Sequence, residues 1–191
     1  MMKNKVVFIS IIVVILALFV GIVLIFNNHK TVESKIKDVV SAEAMFEEIY
    51  KDLDLPALQT DEVSTDEVED VKAYTGLSTN KDVEKMVVSE PLMNAQAYSA
   101  VVLIVKDDAD IEAMKQEIYD NINMSKWICV LATDLYITNN GNVIFLVMSD
   151  QESAKSVYDN FKKFVDNKTG KELHKENKEE NIELPPEMVV E

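Results

Sequence analysis

The chain has 191 residues, of which 34 are acidic and 19 are lysine with no arginine, so the formal net charge is −15. Phosphate backbones and anionic lipid surfaces repel so acidic a surface, which disfavours nucleic-acid binding. A single cysteine, Cys129, excludes an internal disulfide and hence the small secreted folds that depend on such bridges.

Residues 1–5, Met1-Met2-Lys3-Asn4-Lys5, form a short basic head expected to stay in the cytoplasm. Val6 to Phe26 follow as 21 positions without a charge, and Ser10 is the one polar side chain among them. As a helix this run would be roughly 31 Å long, the thickness of a bilayer's hydrocarbon core. It exceeds the apolar core of a cleaved signal peptide and ends Phe26-Asn27-Asn28-His29, without a small-residue cleavage site. The reading is an uncleaved transmembrane anchor over 6–26. Lysines stand on both sides of it, so the positive-inside rule discriminates little. The short head, which needs no translocation, favours an extracytoplasmic position for the domain that follows.

From Thr31 the periodicity turns helical. Ile36, Val39, Val40, Phe46, Ile49, Tyr50 and Leu53 share a stripe, and Asp54-Leu55-Pro56 ends it. Asp61 to Asp70 is acidic. Ser64 and Glu67 suggest a capping box for a short helix using Val68, Val71 and Tyr74, stopped by Gly76. A calcium loop would need alternating oxygen ligands around a central glycine, which this stretch lacks, so a solvated face is expected.

Val83–Glu90 and Ser99–Lys106 read as strands joined through Pro91-Leu92-Met93-Asn94. Asp107 to Asp110 offers N-caps for a helix carrying Ile111, Met114, Ile118 and Ile122. Thr133–Thr138 and Val143–Ser149 flank Asn139-Asn140-Gly141-Asn142, a strong hairpin signal. Ala154, Val157, Tyr158, Phe161, Phe164 and Val165 mark a closing helix. Residues 167–191 are rich in Lys, Glu and Asn and carry Pro185-Pro186, so a disordered acidic tail is expected.

The fold expected is α+β: an antiparallel sheet of about four strands in the order strand-strand-helix-strand-strand-helix, with N-terminal helices and one preceding transmembrane helix. The domain spans 31–166. Val101 to Val105 and Val143 to Val147 show no polar alternation, so both faces of these strands should be buried. Either the helix around Val39–Tyr50 folds back over the second sheet face, or that face is a partner or self-association surface.

Chemistry is sparse. Gly76 and Gly141, the glycines of the predicted domain, cannot build a phosphate loop. His29 lies beside the membrane segment and His174 in the tail, which removes histidine zinc sites and Ser-His catalysis from the expected domain. Ser34/Lys37 and Ser78/Lys81 match Ser-x-x-Lys but lack companion motifs. Paired carboxylates for glycoside hydrolysis do not single themselves out among so many acids. Cys129, within Trp127-Ile128-Cys129-Val130-Leu131, is expected as a buried hydrophobe. The aromatics fall at core spacing, with Trp127 partly exposed at a helix exit. No catalytic, cofactor-binding or metal-ligating residue is assigned, and no cofactor is called for.

Tyr74-Thr75-Gly76-Leu77, Val87-Val88, Pro91-Leu92-Met93-Asn94-Ala95, the strand ending Lys106-Asp107 and the Gly141 hairpin together resemble an uncharacterised domain family. That family belongs to membrane-anchored extracytoplasmic proteins of anaerobic and spore-forming Gram-positive bacteria. The resemblance covers roughly Ala44 to Val165 and implies no activity and no site residues. The expectation is a single-pass membrane protein whose extracytoplasmic domain is a binding or scaffold module of the bacterial envelope. The alternative is a wall-polymer-modifying enzyme using carboxylates or a Ser-Lys pair.

Overall fold

Two of the apolar runs, Ser99–Val105 and Val143–Ser149, pair directly and form the centre of a six-stranded, wholly antiparallel sheet. The computed structural model of the protein describes residues 32–93 and 96–177. Its elements in chain order are α1 (Val39–Ile49), β1 (Leu58–Val63), α2 (Val68–Thr75), β2 (Val83–Pro91), β3 (Ser99–Val105), α3 (Ile111–Asn121), β4 (Asp134–Asn140), β5 (Val143–Ser149), α4 (Gln151–Phe164) and β6 (Leu173–Glu176). The strand order across the sheet is β1-β2-β3-β5-β4-β6.

The expectation of about four strands is corrected to six. Both additional strands lie at the edges. β1 pairs with β2 from Leu58↔Pro91 to Val63↔Met86, and β6 pairs with β4 from Asp134↔Glu176 to Ile137↔Leu173. Edge strands bury only part of one face and so carry few apolar residues to announce them. The tail beginning at 167 is therefore not uniformly loose, since 173–176 complete the sheet. No helix among the described residues is long and apolar enough to cross a membrane. The run 6–26, on which the predicted anchor rests, lies outside the described residues, as do 178–191.

Every residue of β3 and β5 is buried, as their unbroken apolar pattern requires. Alternate side chains feed two separate cores. Val101, Leu103, Val105, Ile144, Leu146 and Met148 pack with Val71, Met114 and Ile118 from α2 and α3. Ala100, Val102, Ile104, Val143, Phe145 and Val147 pack with Met45, Phe46 and Ile49 of α1 and with Val157 and Phe161 of α4. Phe145 stacks on Phe161 at 4.1 Å between ring centres. Thus α1 folds back over the second face, the first of the two arrangements open from sequence, and both faces of the central strands are covered within the domain.

Local signals set the helix ends. Asp38 and Ser41 form the capping box of α1: the Ser41 amide donates to Asp38 Oδ1 at 2.8 Å, and the Asp38 amide donates to Ser41 Oγ at 3.0 Å. Asp110 caps α3 as its acidic approach suggests, accepting from the Ala113 amide at 3.0 Å. Asp150 accepts from the Glu152 and Ser153 amides at the start of α4. The Ser64/Glu67 capping box does not form. Glu67 makes no side-chain cap, and the Ser64 hydroxyl contacts Asp66 instead. In the hairpin, Asn140 still pairs with Val143, so the loop is Gly141-Asn142. Gly141 has φ 58° whereas Asn140 and Asn142 do not turn positive, a sign pattern of a type II′ turn.

One buried charge ties three segments together. The Lys115 ammonium, with no exposed surface, reaches Glu112 Oε1 at 2.7 Å, Asn139 Oδ1 at 2.7 Å and the Lys171 carbonyl at 2.8 Å. It therefore fastens α3 to β4 and to the approach to β6. Lys115→Met should cost about 1.5–3 kcal/mol, because it removes the charged donor shared by Glu112, the half-buried Asn139 and the Lys171 carbonyl. Chemical denaturation should show this as a lower midpoint with an unchanged slope.

Candidate functional site

β6 brings a histidine into the fold. Tyr136 lies opposite His174, and Asp134 opposite Glu176, so these four side chains share one face at the sheet edge. His174 Nε2 lies 2.8 Å from Asp134 Oδ1, while Asp134 Oδ2 accepts from the Thr133 hydroxyl at 2.8 Å. The imidazole stacks on the Tyr136 ring at 4.2 Å with 7° between planes, and Tyr136 stacks in turn on Tyr158 at 4.9 Å. Asp134 is buried, whereas His174 and Glu176 are exposed. The sequence placed His174 in a loose tail and so removed histidine from the domain's chemistry; pairing of β6 overturns that. Four residues in a Lys-Glu-rich context carry too little alternation to mark a strand.

Beside His174 lies a shallow cleft of about 190 Å³, lined among others by Tyr136, Lys155, Tyr158, Lys162 and Glu172. Burial raises the Tyr158 phenol above its ordinary value, and the Glu172 charge adds to this. Burial also raises Tyr136, helped by the Asp134 carboxylate. The Tyr158 hydroxyl is enclosed near Thr138 and Glu172 without a hydrogen bond of ordinary geometry. Burial works to raise the Glu172 carboxyl, but Lys162 at 2.7 Å, together with the nearby Tyr158 and Thr169 hydroxyls, outweighs it and holds the acid below its usual range. The cleft lysines are thus already engaged: Lys155 pairs with Asp159 at 2.6 Å.

A second feature lies at the end of the sheet where β2 stops and β3 begins. Lys126 joins the two connections there, pairing with Glu90 and donating to Ser99 Oγ at 3.3 Å. Its ammonium sits 4.8 Å from the centre of the Tyr74 ring and 5.4 Å from that of Trp127. The residues just beyond this clamp are apolar and point outward. Leu92 and Met93 on one loop and Ile128 on the other are 65–73% exposed. Cys129 is exposed too, with φ 63°, which corrects its expected burial. The loop turns outward after Met124 and Trp127 have entered the core, so the apolar letters around Cys129 do not face inward. Trp127 is partly buried, as its position at a helix exit suggested.

The Ser-x-x-Lys pairs are not brought together. Ser34 Oγ accepts from the Ile36 amide, and Lys37 pairs with Glu33. The Ser78 amide donates to Glu117, while Lys81 lies beside Asp82. His29 lies outside the described residues. Of the acidic run 61–70, Asp61 and Glu62 belong to β1, and Glu69 and Asp70 occupy the first turn of α2, where the helix dipole favours them. Comparison with family models, with curated proteins and with solved structures finds no match for this chain.

Proposed function

We propose that the protein is a binding or scaffold module of a bacterial envelope, attached to the membrane through residues 6–26 with its α+β domain on the extracytoplasmic side. The observation that carries the binding role is the exposure of Leu92, Met93 and Ile128 on the two loops that Lys126 joins through Glu90. Single exposed apolar residues are ordinary, but a group on two clamped loops is a feature of interaction surfaces. The sheet faces are already filled by helices, so a partner would meet the loop end instead. The strongly acidic chain disfavours an anionic lipid surface as the occupant and favours a protein. The membrane position rests on the length and flanks of the apolar run and on the resemblance drawn from Tyr74–Leu77 and the hairpin. The separation of both Ser-x-x-Lys pairs weighs against the enzymatic alternative.

A photo-cross-linking side chain placed at Leu92, Met93 or Ile128 in intact membranes tests this reading. Defined protein adducts are expected from these positions and not from Val40, an exposed apolar residue on α1. Lipid adducts alone, or equal labelling from Val40, would defeat it. Protease added to wall-stripped cells should digest the domain before lysis; protection until lysis would reverse the orientation.

A further inference from the structure

We propose that Asp134, His174 and Glu176 form a binding site for a divalent transition metal of the zinc class. One ligand atom from each residue lies within 4.8 Å of the other two, a spacing that a single ion can bridge. The cross-strand register produces this grouping: Asp134 faces Glu176 directly, and His174 is two residues along on the same face.

The donor set selects the ion. One imidazole nitrogen and two carboxylate oxygens suit zinc and its neighbours, whereas calcium and magnesium prefer oxygen alone. Three protein ligands leave at least one position for water or an outside donor. The surroundings restrict the ligands' motion: the Thr133 hydroxyl orients the buried Asp134 carboxylate, and Tyr136 stacking fixes the plane of the imidazole.

An Asp134–His174 hydrogen bond that merely pins β6 to β4 is the simpler account of that pair. It does not involve Glu176, whose exposed carboxylate has neither hydrogen-bond nor ion-pair partner among the described residues and faces a second carboxylate across the strands. A bound divalent cation offsets that repulsion, and the acidic chain concentrates cations around it.

The test uses the full chain in detergent, freed of metal by a chelator and titrated calorimetrically with zinc. Saturable binding of about one equivalent is expected, with a rise in the unfolding temperature that follows zinc concentration. Cobalt should bind at the same site and develop a visible absorption band. Glu176→Gln and His174→Ala should each weaken zinc by about tenfold or more. His29→Ala should leave it unchanged. Glu176 is exposed, so its substitution tests the site even if loss of His174 loosens the strand. Absence of saturable binding, retention of full affinity in both variants, loss in His29→Ala, or equal displacement by calcium would each overturn the proposal.

Discussion

Deleting residues 33–53 should leave the remaining domain unable to fold cooperatively. The segment supplies Ile36, Met45, Phe46 and Ile49, all buried to within 1% of complete. At about 1.5–3 kcal/mol for each large apolar side chain, their loss removes roughly 6–12 kcal/mol. That is comparable to the whole stability of an ordinary domain, about 5–15 kcal/mol. The deletion also uncovers Val87, Val102 and Phe145 on the opposing sheet face. Absence of a sigmoidal thermal transition, with rapid hydrogen exchange in β3 and β5, is the expected result. A truncated chain that melts within a few degrees of the parent would show that α1 is dispensable to the core.

Gly76→Val should be the most damaging single substitution outside the central strands, costing about 3–5 kcal/mol. Two effects combine. Gly76 has φ 79°, the left-handed conformation that ends α2 and that β-branched residues resist. A Cβ there would also lie 2.7 Å from both the Asn121 carbonyl carbon and the Ile122 amide nitrogen. Those are backbone atoms at the end of α3, so no side chain can move aside to make room. Urea denaturation should separate the two effects: Gly76→Ala keeps the collision but reduces the conformational strain. A loss below about 1 kcal/mol for Val would mean that the close approach of α2 and α3 is not maintained in solution.

Much of this architecture can be read before folding is considered. The runs Val101–Val105 and Val143–Val147 identify central strands because only burial on both faces tolerates such composition. The spacing of Ala154, Val157, Tyr158 and Phe161 identifies α4, and the stop at Gly76 follows from its freedom to turn left-handed. What escapes is what pairing creates. β1, with its sequence Leu-Gln-Thr-Asp-Glu-Val, is two-thirds polar because its outer edge and one face meet water. β6 is a strand only because β4 offers it an unpaired edge. The candidate metal group is hidden for the same reason, since Asp134 and His174 lie forty residues apart and meet only across that ladder. Cys129 misleads in the opposite direction: an apolar neighbourhood in sequence becomes an exposed loop in space. No local signal distinguishes it from a buried hydrophobe.

The central strands would be hazardous in isolation. Ser99–Val105 and Val143–Ser149 carry no charge, no proline and no glycine, the composition of segments that stack into fibrils. The sheet places both in its middle and ends in strands of another character. β1 presents Asp61 and Glu62, and β6 is four residues long with Lys175 and Glu176. Charged, short edges resist the addition of a further strand from another molecule. β6 thereby shields β4, whose Leu135, Tyr136 and Ile137 would otherwise offer free backbone groups along an apolar edge. The last strand among the described residues, held at its approach by Lys115, protects the chain from its own copies.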